Sequence, residues 1–353
     1  MSAFAREAEK NGTLKRPACF VGPVTKHDLL PDALDMDILR EMYRGGAVNI
    51  AGVDPRLNAS RIAHRLKIGR ARVAARLSRW RETGFLRQYD VWLNPAILGW
   101  VGAAIGVRLA NRLDKTAMFR RLSLVDGVVM AIDYLGDWVG LTIVAPDTEE
   151  LARRVRLIGG LSGVAEVEGP VPWHVPAPRR KLTPLDVRIV RALRDGPTST
   201  LSAIARKVGI STRTMTRRYS ALVEDWVVWF VPVFDFTVTP HPVVSMTVTL
   251  RPGTAPETVA HSLRERFPLS LNFRSPIARP EVPPEWLAFY VTLPSVAALE
   301  ELEGVARSLP GVLDVELLVM IRILSFRDWF DRQLDRLTPA VPSAARLHSP
   351  QRG

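Results

Sequence analysis

Apolar residues recur along the chain with two alternating periods. In 34–43, "LDMDILREMY", Leu34, Ile38 and Met42 fall at i, i+4 and i+8, one face of a helix. Asn58 is expected to cap a second helix that turns Ile62, Ala63 and Leu66 inward. Gly69 would then permit a tight turn, and a third helix would run from Arg70 to Thr83 and stop at Gly84. Its core face would be Val73, Leu77 and Trp80. The period changes to two in "FLRQYDVWL" (85–93), which reads as a strand or wing. Two short helices joined by a tight turn, behind a supporting helix, make a helix-turn-helix.

A different pattern follows. Strands are expected at 100–109, 128–135, 138–145 and 164–173, with helices at 115–125 and 148–158. That order is βαββαβ, the ferredoxin-like plan.

The pattern then repeats. "IARKVGI" (204–210) aligns with "IAHRLKI" (62–68) at an offset of 142 residues, and "PLDVRIVRAL" (184–193) with "ALDMDILREM" (33–42) at 151. The difference falls in the Gly/Pro/Asn-rich stretch "RGGAVNIAGVDPRLNAS", where a loop tolerates insertion. The second βαββαβ is expected as strands 243–250, 269–273, 286–293 and 312–321 with helices 256–267 and 295–309. The fold class is therefore α+β, with two winged helix-turn-helix domains (29–93 and 182–234) and two ferredoxin-like domains (94–174 and 235–331). The proline-rich segment "GPVPWHVPAPRRK" supplies the linker, at 175–181, and flexible tails occupy 1–28 and 332–353. A βαββαβ sheet has one face bare of helices, so the two bare faces are expected to pair within the chain as a pseudo-dimer.

Charge changes the picture. Eight of the 21 residues 61–81 are Lys or Arg, and no acid appears before Glu82. Residues 196–223 hold five basic side chains and no acid. A net charge of +12 and a sequence pI near 10.5 point to a polyanionic partner, nucleic acid first and an anionic membrane surface second, and the helix-turn-helix pattern makes double-stranded DNA the expected one. The DNA-facing candidates are Arg70, Arg72, Arg76 and Arg79 in the first third helix. In the second they are Arg213, Thr214, Arg217 and Arg218, outside a core face of Met215, Tyr219 and Leu222. A solvated basic face is the bland alternative.

Enzyme signals are thin. The histidines at 27, 64, 174, 241, 261 and 348 do not fall at metal-ligand spacing, and Cys19 alone cannot build a thiolate site. No catalytic residues, metal or cofactor are expected. The longest apolar and glycine run, "AILGWVGAAIGV", is too short to span a membrane, so a soluble, cytoplasmic protein is expected.

The stretches "LDMDILREM" and "ASRIAHRLKIGRARVAARLSRWRETGFLRQYDVWLNPAILGW", with the sheet module after them, resemble the Lrp/AsnC family of transcription regulators. The resemblance covers roughly residues 30–330, twice over. It implies a winged helix-turn-helix joined to a ligand-sensing (RAM) domain and a small-molecule effector of amino-acid type; the sequence leaves open whether whole chains self-associate beyond the intrachain pair. It also implies that the turn Gly136–Asp137 borders the effector pocket, although a hairpin turn needs no ligand to explain it. The second copy departs from the family: no glycine follows its third helix, and "RSPIARPEVPPE" (274–285) replaces the tight turn between its middle strands. The competing reading is a siroheme-decarboxylase-like tetrapyrrole enzyme on the same fold, for which "SLNFRSP" (270–276) is the suggestive stretch.

Overall fold

The structure is a computed structural model that describes residues 32–43, 59–111, 115–168, 171–173, 177–239, 241–267, 270–273, 286–293 and 295–337. Asn58, Cys19, His27, His174, His348, both chain ends and most of the two loops singled out above lie outside these residues.

The first half opens with α1 (Ala33–Tyr43), α2 (Ala59–Leu66), α3 (Arg70–Glu82) and β1 (Leu86–Leu93). There follow β2 (Val101–Leu109), α4 (Lys115–Leu124), β3 (Val128–Tyr134), β4 (Trp138–Ala145), α5 (Thr148–Gly159), β5 (Val164–Val167) and β6 (Val171–Trp173). The second half opens with α6 (Pro184–Asp195), α7 (Leu201–Val208), α8 (Thr212–Glu224) and β7 (Val228–Phe234). It continues with β8 (Val243–Leu250), α9 (Pro256–Arg266), β9 (Ser270–Phe273), β10 (Trp286–Thr292), α10 (Ala297–Ser308), β11 (Val312–Ser325) and α11 (Asp328–Leu337). The expected order of elements is present. The strand expected at 164–173 is split into β5 and β6, both paired with β2. The helix α11 runs to Leu337, so residues 332–337 are helical rather than part of a flexible tail.

Neither β1 nor β7 is a separate wing. The two pair with each other, antiparallel, from Leu86 opposite Phe234 to Leu93 opposite Val228. A lone edge strand after a helix pair leaves its backbone groups unpaired, and pairing with the equivalent strand satisfies both. The ribbon is sealed at each end in the same way. The Asn94 amide donates to the Val227 carbonyl at 2.9 Å, and the Asp235 amide to the Phe85 carbonyl at 2.9 Å.

The expected face-to-face pairing of the two sheets does not occur. They join edge to edge, β3 against the 14-residue β11, giving the strand order β5-β2-β4-β3-β11-β8-β10-β9. Asp133 on β3 is buried at this joint between Lys115 at 2.9 Å and Arg322 of β11 at 3.2 Å. Helices α4 and α5 bury one face of the first sheet through Phe119, Leu122, Leu151 and Ile158, and α9 and α10 the same face of the second through Leu263 and Leu302. On the opposite side Met130, Ile132, Met320 and Ile323 pack with Trp92 and Trp229 of the ribbon and Trp329 and Phe330 of α11. On this side the ribbon and α11 cover the central strands β3 and β11, whereas Ala104 and Arg108 of β2 are exposed and Ser245, Thr247 and Thr249 of β8 are half-buried.

Both β3–β11 and β1–β7 pair residues of the first half with residues of the second. Cleaving the chain between Trp173 and Arg179 should therefore leave the halves associated. Co-elution of both fragments on gel filtration is expected, and separate elution without denaturant would contradict the pairing.

Candidate nucleic-acid interface

The turn between α7 and α8 has the residues its geometry asks for. Gly209 sits at φ +77, in the left-handed region where glycine carries no side-chain penalty. Thr200 caps α7, and the Ser211 hydroxyl caps α8 by accepting from the Thr214 amide at 3.2 Å. Ahead of them Thr183 and Asp186 form a reciprocal capping box at the start of α6. Met215, Tyr219 and Leu222 are buried against α6 and α7, as expected.

The equivalent turn in the first half is built from less suitable residues. The left-handed position is held by Lys67, at φ 55. Gly69 is extended, at φ −67, and caps α3 without a side chain, so it does not make the turn as expected. Gly84, at φ +77, does follow the third helix as expected; in the second half that conformation falls on Trp226, at φ 58. Val73 and Trp80 are buried, with Leu77 partly buried against them.

The arginines divide into two groups. Arg70, Arg72, Arg213 and Arg217 are exposed. Arg76 is turned inward, 2.6 Å from Asp32 and 3.1 Å from Asp35 on α1, and this corrects its assignment to a DNA-facing flank. Its equivalent Arg218 reaches Asp186 at 3.2 Å and the Thr183 hydroxyl at 3.4 Å, and is corrected likewise. Both side chains lie beside the packed face, where a carboxylate of the supporting helix can neutralise them. Thr214 is half-buried with its hydroxyl 3.0 Å from that of Ser211, in the cap rather than on the outward face. Arg79 is half-buried, with its carbonyl accepting from the Thr83 hydroxyl at 2.8 Å.

The residues missed from the pattern are Asp35 and Asp186. Both are 0% exposed, and each ties the first helix of its trio to the third. Asp35 accepts from the Trp80 indole at 2.8 Å and from Arg76. Burial pushes the Asp35 carboxyl up. At Asp32 burial acts against the charge too, but the Asp35 amide and Arg76 hold its carboxyl below the ordinary value. A signal existed: Asp35 aligns with Asp186 and Arg76 with Arg218 when the two repeats are superposed.

Gly136 is at φ +92 in the turn between β3 and β4, which suits glycine. The Asp137 carbonyl accepts from the Leu109 amide at 2.9 Å, and the Leu135 amide donates to Val319 of β11 at 2.7 Å. The turn therefore lies beside the joint between the two sheets. Nearby, Tyr134 is buried with its hydroxyl bonded to Ser245, and burial pushes it up to about 12. Among the described residues no cluster of His, Cys, Asp or Glu could hold a metal ion, and no helix is long and apolar enough to cross a membrane.

No curated protein matches the chain in sequence. Among solved structures it is similar to the siroheme decarboxylase NirDL in complex with an iron-uroporphyrin III analogue, at 17% identity over 87% of this chain and 100% of that one, with a TM-score of 0.48. It is also similar to AsnC of E. coli, at 20% identity over 43% of this chain and 98% of that one, with a TM-score of 0.28. A third is the AsnC-family transcriptional regulatory protein PF0864 from Pyrococcus furiosus, at 19% identity over 40% and 88%, with a TM-score of 0.27. At these levels of overlap the functional reading rests on the chain's own residues. A family model described as winged helix-turn-helix DNA-binding matches residues 182–225, the segment with the better-built turn. The chain thus carries a winged helix-turn-helix of the DNA-binding kind at 182–225.

Proposed function

We propose that the chain is a DNA-binding transcription regulator, not an enzyme, with two helix-turn-helix units produced by internal duplication. One chain does the work of a dimer: α3 and α8 each enter the major groove, and the operator has two unlike half-sites. The observation that carries this reading is the pair of helices, each with a packed apolar side and an exposed cationic side. Arg70 and Arg72 lie on one helix and Arg213 and Arg217 on the other. The β1–β7 ribbon supports it, because it couples the two helical units as a symmetric dimer contact would. The turn at Gly136–Asp137, beside the sheet joint, is where a small amino-acid-like effector would act on the spacing of the two units. Association of whole chains extends the same scheme.

The test is a filter-binding assay of the full chain on genomic fragments, beside absorbance of the same protein mixed with siroheme. Retention of a subset of fragments without a shifted tetrapyrrole spectrum is expected. A shifted spectrum and no retained fragment would establish the enzyme reading instead. If the two units together neutralise six or more phosphates, affinity should fall about a thousandfold or more between 50 and 200 mM salt. A fall of less than about tenfold would contradict phosphate-dominated binding.

A further inference from the structure

Helices α3 and α8 superpose residue for residue at an offset of 142, yet their outward faces are built on opposite plans. At about 100° per residue, the centre of the outward face of α8 consists of Arg213, Thr216, Arg217 and Ser220. The same positions of α3 are Ala71, Ala74, Ala75 and Ser78. The flanks are reversed. On α3 the exposed flanking residues include Arg70 and Arg81 on one side and Arg72 on the other; on α8 the corresponding positions are Thr212, Val223 and Thr214.

Resting on the DNA-binding reading above, the geometry points to a division of labour: α8 reads the bases and α3 grips the backbone. A guanidinium at the centre of a groove-facing helix reaches the O6 and N7 acceptors of guanine in a bidentate fork. Arg213 and Arg217 are four residues apart on one face, so they address neighbouring base pairs. Between them Thr216 donates its hydroxyl to the Thr212 carbonyl at 3.0 Å, which commits its polar group to the helix. Its methyl is left for the groove, where thymine offers an apolar partner. The α8 half-site is therefore G-containing with an adjacent thymine. Helix α3 has no long side chain at its centre. Its alanines allow close approach, and its flanking arginines straddle the groove toward the two phosphate chains. The charge run at 61–81 gives α3 more arginines than α8, but none of them lies at the centre of its outward face. This division of labour agrees with where the helix-turn-helix is best formed, since the capped turn with Gly209 belongs to α8.

The experiment is selection from a randomised duplex library by the full chain, with the motif compared among variants. Arg213→Ala with Arg217→Ala should still bind duplex and melt as wild type, since both side chains are exposed. Its discrimination between wild-type motif and random duplex should fall about 5- to 150-fold for each arginine removed. Arg213→Lys with Arg217→Lys keeps the charge without the fork, so it should lose the motif but keep the salt slope. Arg70→Ala, Arg72→Ala and Arg81→Ala combined should enrich the same motif with weaker binding, the logarithmic salt slope falling by about 0.9 for each phosphate no longer neutralised. An unchanged motif in the α8 variants, or a motif altered by the α3 variant, would overturn the division of labour. Equal wild-type binding to every duplex would leave DNA binding standing and overturn base reading by α8. No binding to any duplex would overturn the regulator itself.

Discussion

The Trp80→Ala chain is expected to lose about 3–5 kcal/mol of stability, the range for removing a large fully buried aromatic side chain. Trp80 is 0% exposed and does more than fill space. Its indole donates to Asp35 at 2.8 Å, and its ring meets Phe85 edge-on at 5.6 Å and Phe234 at 6.4 Å. Phe234 belongs to the second half, so the cavity would open where the ribbon joins both helical units. Asp35 would also lose a donor in a site with no access to water, which adds to the penalty. Urea denaturation followed by far-UV circular dichroism reads the loss. A midpoint equal to wild type would mean that Trp80 is exposed and that the register of α3 is wrong.

Asp186→Ala should cost about 2–4 kcal/mol, somewhat below the figure for breaking a fully buried ion pair because Arg218 keeps some contact with water. The carboxylate accepts from the Thr183 amide at 3.0 Å and its hydroxyl at 2.7 Å, and lies 3.3 Å from Arg180 and 3.2 Å from Arg218. Its removal strips the capping box of α6 and releases the ion pair that orients α8. Specific DNA binding should therefore fall further than the loss of folded protein explains. Asp186→Asn retains hydrogen-bonding capacity at the cap but not the charge, and should fall between wild type and Asp186→Ala in a thermal melt. Equal melting of all three would show that the Arg218–Asp186 pair contributes nothing to stability.

The local patterns were legible in the sequence because each element's period is written in its own residues. The helices of both trios and the strands of both sheets follow from spacings of 3.6 and two. What the pattern left open is which surface meets which. Every residue of β3 is buried, so its sequence is compatible with a face partner, an edge partner or both, and the edge partner β11 lies far away in the chain. β1 reads equally well as a wing or as half of a ribbon, since backbone pairing leaves no mark on side-chain alternation. Helix α11 lies beyond the duplicated unit, and repeat alignment does not reach it, although Phe330 and Leu334 stand at helical spacing. Arg76 and Arg218 show the limit of a helical wheel. Their positions lie on a flank, and an aspartate on another helix decides whether a flank arginine turns in or out.

The central claim is that one chain places two unlike recognition helices on DNA. Hydroxyl-radical footprinting of the full chain on a selected duplex tests it most directly. Two protected patches of different sequence are expected, about one helical turn or a whole multiple apart, because the two helices lie on one ribbon but differ in their outward residues. A perfect palindrome with both halves equally protected would contradict it.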